Sequence, residues 1–133
     1  MRTAVAIAVL LLLAFVVQAI IIPDTTDRSG ACDISPVEFV ELDVTDAVLI
    51  DVRTPAEYHS GHLEGAILID VRARDFQERI GQLNKQARYY VYCKTGIRSA
   101  HAVKFMRQAG FTRVCNVEKG LAGLRKLGTE LVR

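Results

Sequence analysis

The chain has 133 residues, half of them hydrophobic, and a formal net charge of +2. That length suits one domain and not two, and a near-balanced charge with no concentrated basic patch argues against nucleic acid as a partner. Arg125, Lys126 and Arg133 near the C-terminus read as a solvated helix face.

The hydrophobic content is unevenly spread. Ala4 to Ile22 carries no charge, and Gln18 is its only polar side chain. These 19 residues are about one helical crossing of a bilayer. Arg2 precedes the run and Asp24 and Asp27 follow it, which favours an N-inside orientation. Val17-Gln18-Ala19 offers a signal-peptidase site, yet the run continues through Ile20, Ile21 and Ile22. A cleaved signal and a retained membrane anchor both remain open. Either one places the domain beyond the membrane, which for a bacterial source is the periplasm or the cell exterior. The organisation expected is a leader over 1–22, a linker over 23–30 and one domain over 31–133.

Within that domain, the first packed segment begins near Ala31. Ser35-Pro36-Val37-Glu38 is a capping box with proline at the first helical position, and its helix is expected to reach Leu42. Val48 to Val52 reads as a strand buried on both faces. Thr54-Pro55-Ala56-Glu57 repeats the capping pattern and opens a short helix. A loop at Gly61-His62-Leu63-Glu64-Gly65 leads to a strand over 66–69. A helix is expected over 75–82 and a strand at Tyr89-Tyr90-Val91-Tyr92. The next helix is expected from Ser99 to Ala109, closed by Gly110. A strand over 114–117 and a helix over 121–127 complete the chain. Alternating strands and helices imply an α/β fold with a mainly parallel sheet covered on both faces.

The stretch that carries chemistry is Cys93-Lys94-Thr95-Gly96-Ile97-Arg98-Ser99. It lies at the C-terminal end of a buried strand and before a helix, where open α/β sheets place their sites. Gly96 permits a loop that turns its N–H groups inward. The helix end, Lys94 and Arg98 all favour negative charge. A cysteine in that field has its pKa lowered, so Cys93 is expected to act as an anionic sulfur nucleophile toward an anionic substrate.

Three segments in register resemble the rhodanese-like family. The first runs from Leu49-Ile50-Asp51-Val52-Arg53 through Glu57-Tyr58 to Gly61-His62-Leu63-Glu64-Gly65-Ala66. The second is the cysteine loop, similar to the family's C-x-x-G-x-R. The third is Gly110-Phe111 through Val114 to Gly120-Leu121. The resemblance implies a rhodanese-like fold: a five-stranded, mainly parallel sheet between helices, here preceded by an N-terminal apolar helix. It also implies sulfur transfer. Cys93 would take sulfane sulfur from thiosulfate or a similar small anionic donor and pass it to cyanide or a thiol, including a protein thiol. Backbone groups of Lys94, Thr95, Gly96, Ile97, Arg98 and Ser99 would cradle the persulfide. Arg98 would orient the loop or bind the donor, and Lys94 would add attraction. No cofactor is implied. Leu68, Lys119 and Leu124 depart from the family pattern, which bears on substrate preference.

Several residues invite over-reading. Asp51, Arg53 and His62 are expected to fix loops beside the site, and Glu57 to serve as a helix-cap partner. No zinc site is expected, because Cys32, Cys93 and Cys115 lack ligand spacing with the histidines. The family's sheet order brings Cys32 and Cys115 onto neighbouring strands. Proximity is expected there, and a bond between them stays open, although adjacent strands seldom supply the geometry. Three rival functions stand beside the enzyme. A Cys-dependent phosphatase would need five residues between Cys93 and Arg98, where this chain has Lys94 to Ile97. A membrane-tethered persulfide carrier or sensor would use the same loop. An inactive binding module is weakened by the presence of both Cys93 and Arg98.

Overall fold

The computed structural model describes residues 32–133. The expected apolar helix, its membrane or signal role and the linker lie outside the described residues. Among the described residues, no helix is long and apolar enough to cross a membrane.

Two short helices start as their capping signals dictate. In α1 (Pro36–Val40) the Ser35 hydroxyl accepts from the Glu38 N–H, and the Glu38 carboxylate accepts from the Ser35 N–H. In α2 (Pro55–His59) Thr54 and Glu57 make the same reciprocal pair. Helix α1 stops two residues short of Leu42, and Glu41 and Leu42 close it as a turn.

Five strands form one sheet: β1 (Cys32–Ile34), β2 (Ala47–Asp51), β3 (Ile67–Leu68), β4 (Arg88–Tyr92) and β5 (Val114–Val117). Their order is β1-β5-β4-β2-β3, and every pairing is parallel. The expected strand over 66–69 pairs only at Ile67 and Leu68, as a short edge strand. Three further helices are α3 (Phe76–Gly81), α4 (Ile97–Gln108) and α5 (Gly120–Lys126).

Strand β4 lies at the centre, and its side chains alternate between two cores. Tyr89, Val91 and Cys93 face one cluster with Phe76 and Ile80 of α3 and Ala102, Val103 and Met106 of α4. Tyr90 and Tyr92 face the other, with Phe39 of α1 and Leu121 and Leu124 of α5. Helices therefore cover both faces, and β4, which leads into Cys93, is buried from Tyr89 to Tyr92.

Strand register decides the pairing that the sequence left open. Cys32 and Cys115 form a disulfide. They are in-register partners on the parallel strands β1 and β5, with Cα atoms 4.5 Å apart. Directly opposed residues project to the same side of a sheet, and that separation falls within the range a disulfide spans. Cys93 is the free cysteine.

Candidate active site

The site forms where β4 runs out. The connections after β2 and β4 depart beside each other, and their strands are joined at the top by the Val52 N–H donating to the Tyr92 carbonyl at 3.0 Å. The chain after Cys93 turns sharply and enters α4 at once. Gly96 stands at the N-cap with φ 92° and the helix begins at Ile97, two residues before the position expected at Ser99. No Ser, Thr, Asp or Asn marks that start, so the usual capping signal is missing from the sequence.

The loop closes around the sulfur. Cys93 Sγ accepts from the Gly96 N–H at 3.1 Å and from the Ser99 hydroxyl at 3.4 Å. Burial pushes the Cys93 thiol up, but the Ser99 hydroxyl and the N–H groups of Ser99, Thr95 and Gly96 outweigh it and hold the thiol below its ordinary value. Cys93 and Ser99 are fully buried, whereas Lys94, Thr95 and Ile97 are exposed. A single layer of loop therefore separates Sγ from solvent. Lys94 points outward and lies over the loop rather than inside it.

A second segment supports this loop from behind. The N–H of Leu121 donates to the Cys93 carbonyl at 2.8 Å, and that of Ala122 to the Lys94 carbonyl at 2.9 Å. The approach is so close that a Cβ on Gly120 would overlap the Cys93 carbonyl. Gly120 has φ 48°, so it meets both demands on a glycine, close approach and a left-handed backbone. Its neighbour Lys119 also adopts a positive φ, 56°, with a full side chain.

Arg98 points to a partner that sequence reasoning missed. Its two terminal nitrogens donate to the two carboxylate oxygens of Glu57, each at 2.8 Å. Glu57 thus caps α2 and also grips the first turn of α4. The Arg98 guanidinium is the main reason the Glu57 carboxyl falls to about 2, with the Thr54 hydrogen bonds adding to it against burial. Forty-one positions separate the two residues, and no local pattern links them.

Asp51, Arg53 and His62 stand around the site without touching the sulfur. The buried Arg53 guanidinium binds both oxygens of Asp51 and donates to the Gly61 carbonyl at 2.8 Å. The Asp51 carboxylate also accepts from the Arg53 N–H. This buried pair fastens the loop after α2 to the end of β2. His62 stacks on Tyr58 at 3.7 Å, and its Nδ1 lies 3.0 Å from the Tyr58 carbonyl. The Tyr92 hydroxyl accepts from the Leu63 N–H. Among the described residues no cluster of three or more His, Cys, Asp or Glu could hold a metal ion.

Comparison with known proteins gives this geometry a context. A model of the rhodanese-like domain matches residues 36–127. A protein named sulfurtransferase from Allochromatium vinosum is 30% identical over 90 residues, covering 68% of this chain and 82% of that protein. The probable adenylyltransferase/sulfurtransferase MoeZ of Mycobacterium tuberculosis is 36% identical over 78 residues, 59% of this chain. A tRNA uridine(34) hydroxylase of Enterobacter is 36% identical over 86 residues, 60% of this chain. The chain spans only 20% of the MoeZ protein and 24% of the hydroxylase. Among solved structures, a rhodanese-related protein from Thermoplasma volcanium superposes with a TM-score of 0.68 at 29% identity, covering 76% of this chain and 97% of that one. With the family model spanning most of the chain and the parallel sheet matching its solved neighbours, the chain belongs to the rhodanese-like domain family.

Proposed function

We propose that this enzyme moves sulfane sulfur from thiosulfate, or a donor like it, to a thiophilic acceptor through a persulfide on Cys93. The observation that carries the reading is the hydrogen-bonded sulfur: Sγ at the end of β4, met by the Gly96 N–H and the Ser99 hydroxyl, with its thiol lowered. The Cys93 thiolate attacks the outer sulfur of thiosulfate. The sulfur–sulfur bond of the donor breaks, and sulfite leaves with the electron pair. The outer sulfur, now on Cys93, carries the negative charge that the loop's N–H groups stabilise. A nucleophile such as cyanide then attacks that outer sulfur, thiocyanate departs, and the Cys93 thiolate returns.

Arg98 fits an orienting role in this scheme. Glu57 takes both of its terminal nitrogens, so the guanidinium holds the loop to α2 rather than waiting for an oxyanion. The same arrangement disfavours phosphatase chemistry, which would need that guanidinium free for a phosphate on a longer loop. We place the domain in an extracytoplasmic compartment, as a secreted or membrane-anchored form. The apolar run Ala4–Ile22 supports this, as does a disulfide between Cys32 and Cys115, which persists in oxidising surroundings.

The test is thiosulfate:cyanide turnover with mass spectrometry of the loaded chain. Thiocyanate release and a +32 Da mass on Cys93 alone, of order one sulfur atom, are expected. Full turnover by Cys93→Ala would refute the assignment. Sequencing the mature N-terminus separates cleaved from anchored forms.

A further inference from the structure

Beside the cysteine loop, α1 and α5 enclose a groove of about 470 Å³. Its walls include the apolar Pro36, Val37, Ala122 and Leu127, and among the described residues its charged lining groups are two cations, Lys119 and Lys126. A second cavity of about 370 Å³ continues from it, shares Thr95 and Lys119, and reaches Ile97. Two acids, Asp33 and Glu118, stand in that second cavity, so the cationic half is the groove between α1 and α5. Apolar side chains line the way: Val37, Ile97 and Leu127 are 60%, 66% and 47% exposed.

These dimensions exceed what a small sulfur oxyanion needs, since cavities of roughly 300–1,000 Å³ take molecules of many more atoms. Thr95 connects the groove to the chemistry. Its surface lines the groove, while its backbone N–H stabilises the Cys93 thiolate. Lys119 adds a second sign. It holds a left-handed backbone that is unfavourable for a non-glycine residue, yet it presents a cation at the junction of both cavities.

We propose that the α1–α5 groove docks an acidic, apolar peptide segment of a protein thiol that accepts sulfur from Cys93. The inference rests on the sulfur-transfer reading above and names the acceptor's chemistry. Apolar side chains of the segment lie against Val37 and Leu127, and its carboxylates meet Lys119 and Lys126. This brings the partner's thiolate to Thr95. The thiolate attacks the outer sulfur of the Cys93 persulfide, the bond between that sulfur and Cys93 Sγ breaks, and Cys93 leaves as thiolate. The partner becomes the persulfide, and no outside oxidant or reductant is consumed.

The test separates docking from chemistry. A fluorescent hexapeptide of leucine, glutamate and serine is titrated into the full chain by anisotropy, against a counterpart with lysine in place of glutamate. The acidic peptide is expected to bind about fivefold more tightly, the upper end for one or two exposed ion pairs. Lys126→Glu, on an exposed position, is expected to abolish or reverse that preference, and Val37→Asp to weaken the acidic peptide further. Equal affinities for the two peptides, or an unchanged preference in Lys126→Glu, would overturn the proposal. Failure of the sulfur-transfer reading shows separately, as absence of Cys93-dependent thiocyanate, which the peptide titration does not measure.

Discussion

Replacing Glu57 by glutamine isolates the ion pair that ties the cysteine loop to the rest of the site. Glutamine at the third helical position can still complete the capping box with Thr54, so α2 keeps its start, while the charge on Arg98's partner and one of the two hydrogen bonds to Arg98 are lost. The folded carboxyl titrates at about 2 against an ordinary 4.5. That shift corresponds to about 3 kcal/mol before screening. The side chains are 20% and 31% exposed, so screening leaves about 1 kcal/mol for the pair. For a domain of this size the loss should lower the melting temperature by about 5 °C. The carboxyl is depressed on folding, so its contribution is complete above the unfolded pKa of 4.5 and is lost as the pH falls toward 2. The assay is a double-mutant cycle of Glu57→Gln and Arg98→Gln by urea unfolding, at neutral pH and at several lower values. A coupling energy of about 1 kcal/mol is expected at neutral pH, shrinking steadily below pH 4.5. A coupling below about 0.3 kcal/mol, or one that does not change with pH, would refute the reasoning.

Three further outcomes follow from the site and its frame. Ser99→Ala removes the hydroxyl that meets Cys93 Sγ, so the pH profile of sulfur uptake should move to higher pH, with the rate at neutrality down by about tenfold; an unmoved profile would exclude Ser99 from holding the thiolate. Adjacent residues should respond with opposite signs: Gly120→Ala, whose Cβ meets the Cys93 carbonyl, should cost about 3 kcal/mol and impair activity, whereas Lys119→Gly, relieving a positive φ, should gain about 1 kcal/mol in urea melts. Thiol titration under denaturing, non-reducing conditions should find one free cysteine of the three; reducing the bond across 83 positions should destabilise the domain by about 3–4 kcal/mol.

Much of the fold was legible because local signals agreed with one another. Ser35-Pro36 and Thr54-Pro55 each announced a helix start, and each helix begins there. The alternating segments implied a parallel sheet, and five parallel strands are present. The cysteine loop was readable for the same reason: strand end, glycine and cations coincide within seven residues. Helix ends were less legible. Helix α4 starts at Ile97 because Gly96 turns the chain to protect the sulfur, a demand of the site that leaves no capping residue behind.

What lay beyond the sequence were relations between distant segments. Glu57 has an obvious local duty as a cap, which hides its second one, holding Arg98 across the site. The disulfide depended on register: Cys32 and Cys115 bond because they stand directly opposite on β1 and β5. Register also keeps that disulfide from Cys93. Tyr90, not Cys93, is the β4 partner of Cys115, so Cys93 lies three residues farther along, about 10 Å. Its side chain belongs to the opposite core from that of Cys115.

The sequence by itself determined the family, the layered sheet and the position of the cysteine loop at a strand end, because capping, strand burial and a compact loop motif are local properties of the chain. Tertiary structure alone decided what surrounds Cys93. Glu57 clasps Arg98, Gly120 lets α5 reach the Cys93 carbonyl, and β1 is bonded to β5. Each depends on how close two remote backbones come, a distance set by packing of the whole sheet and its helices.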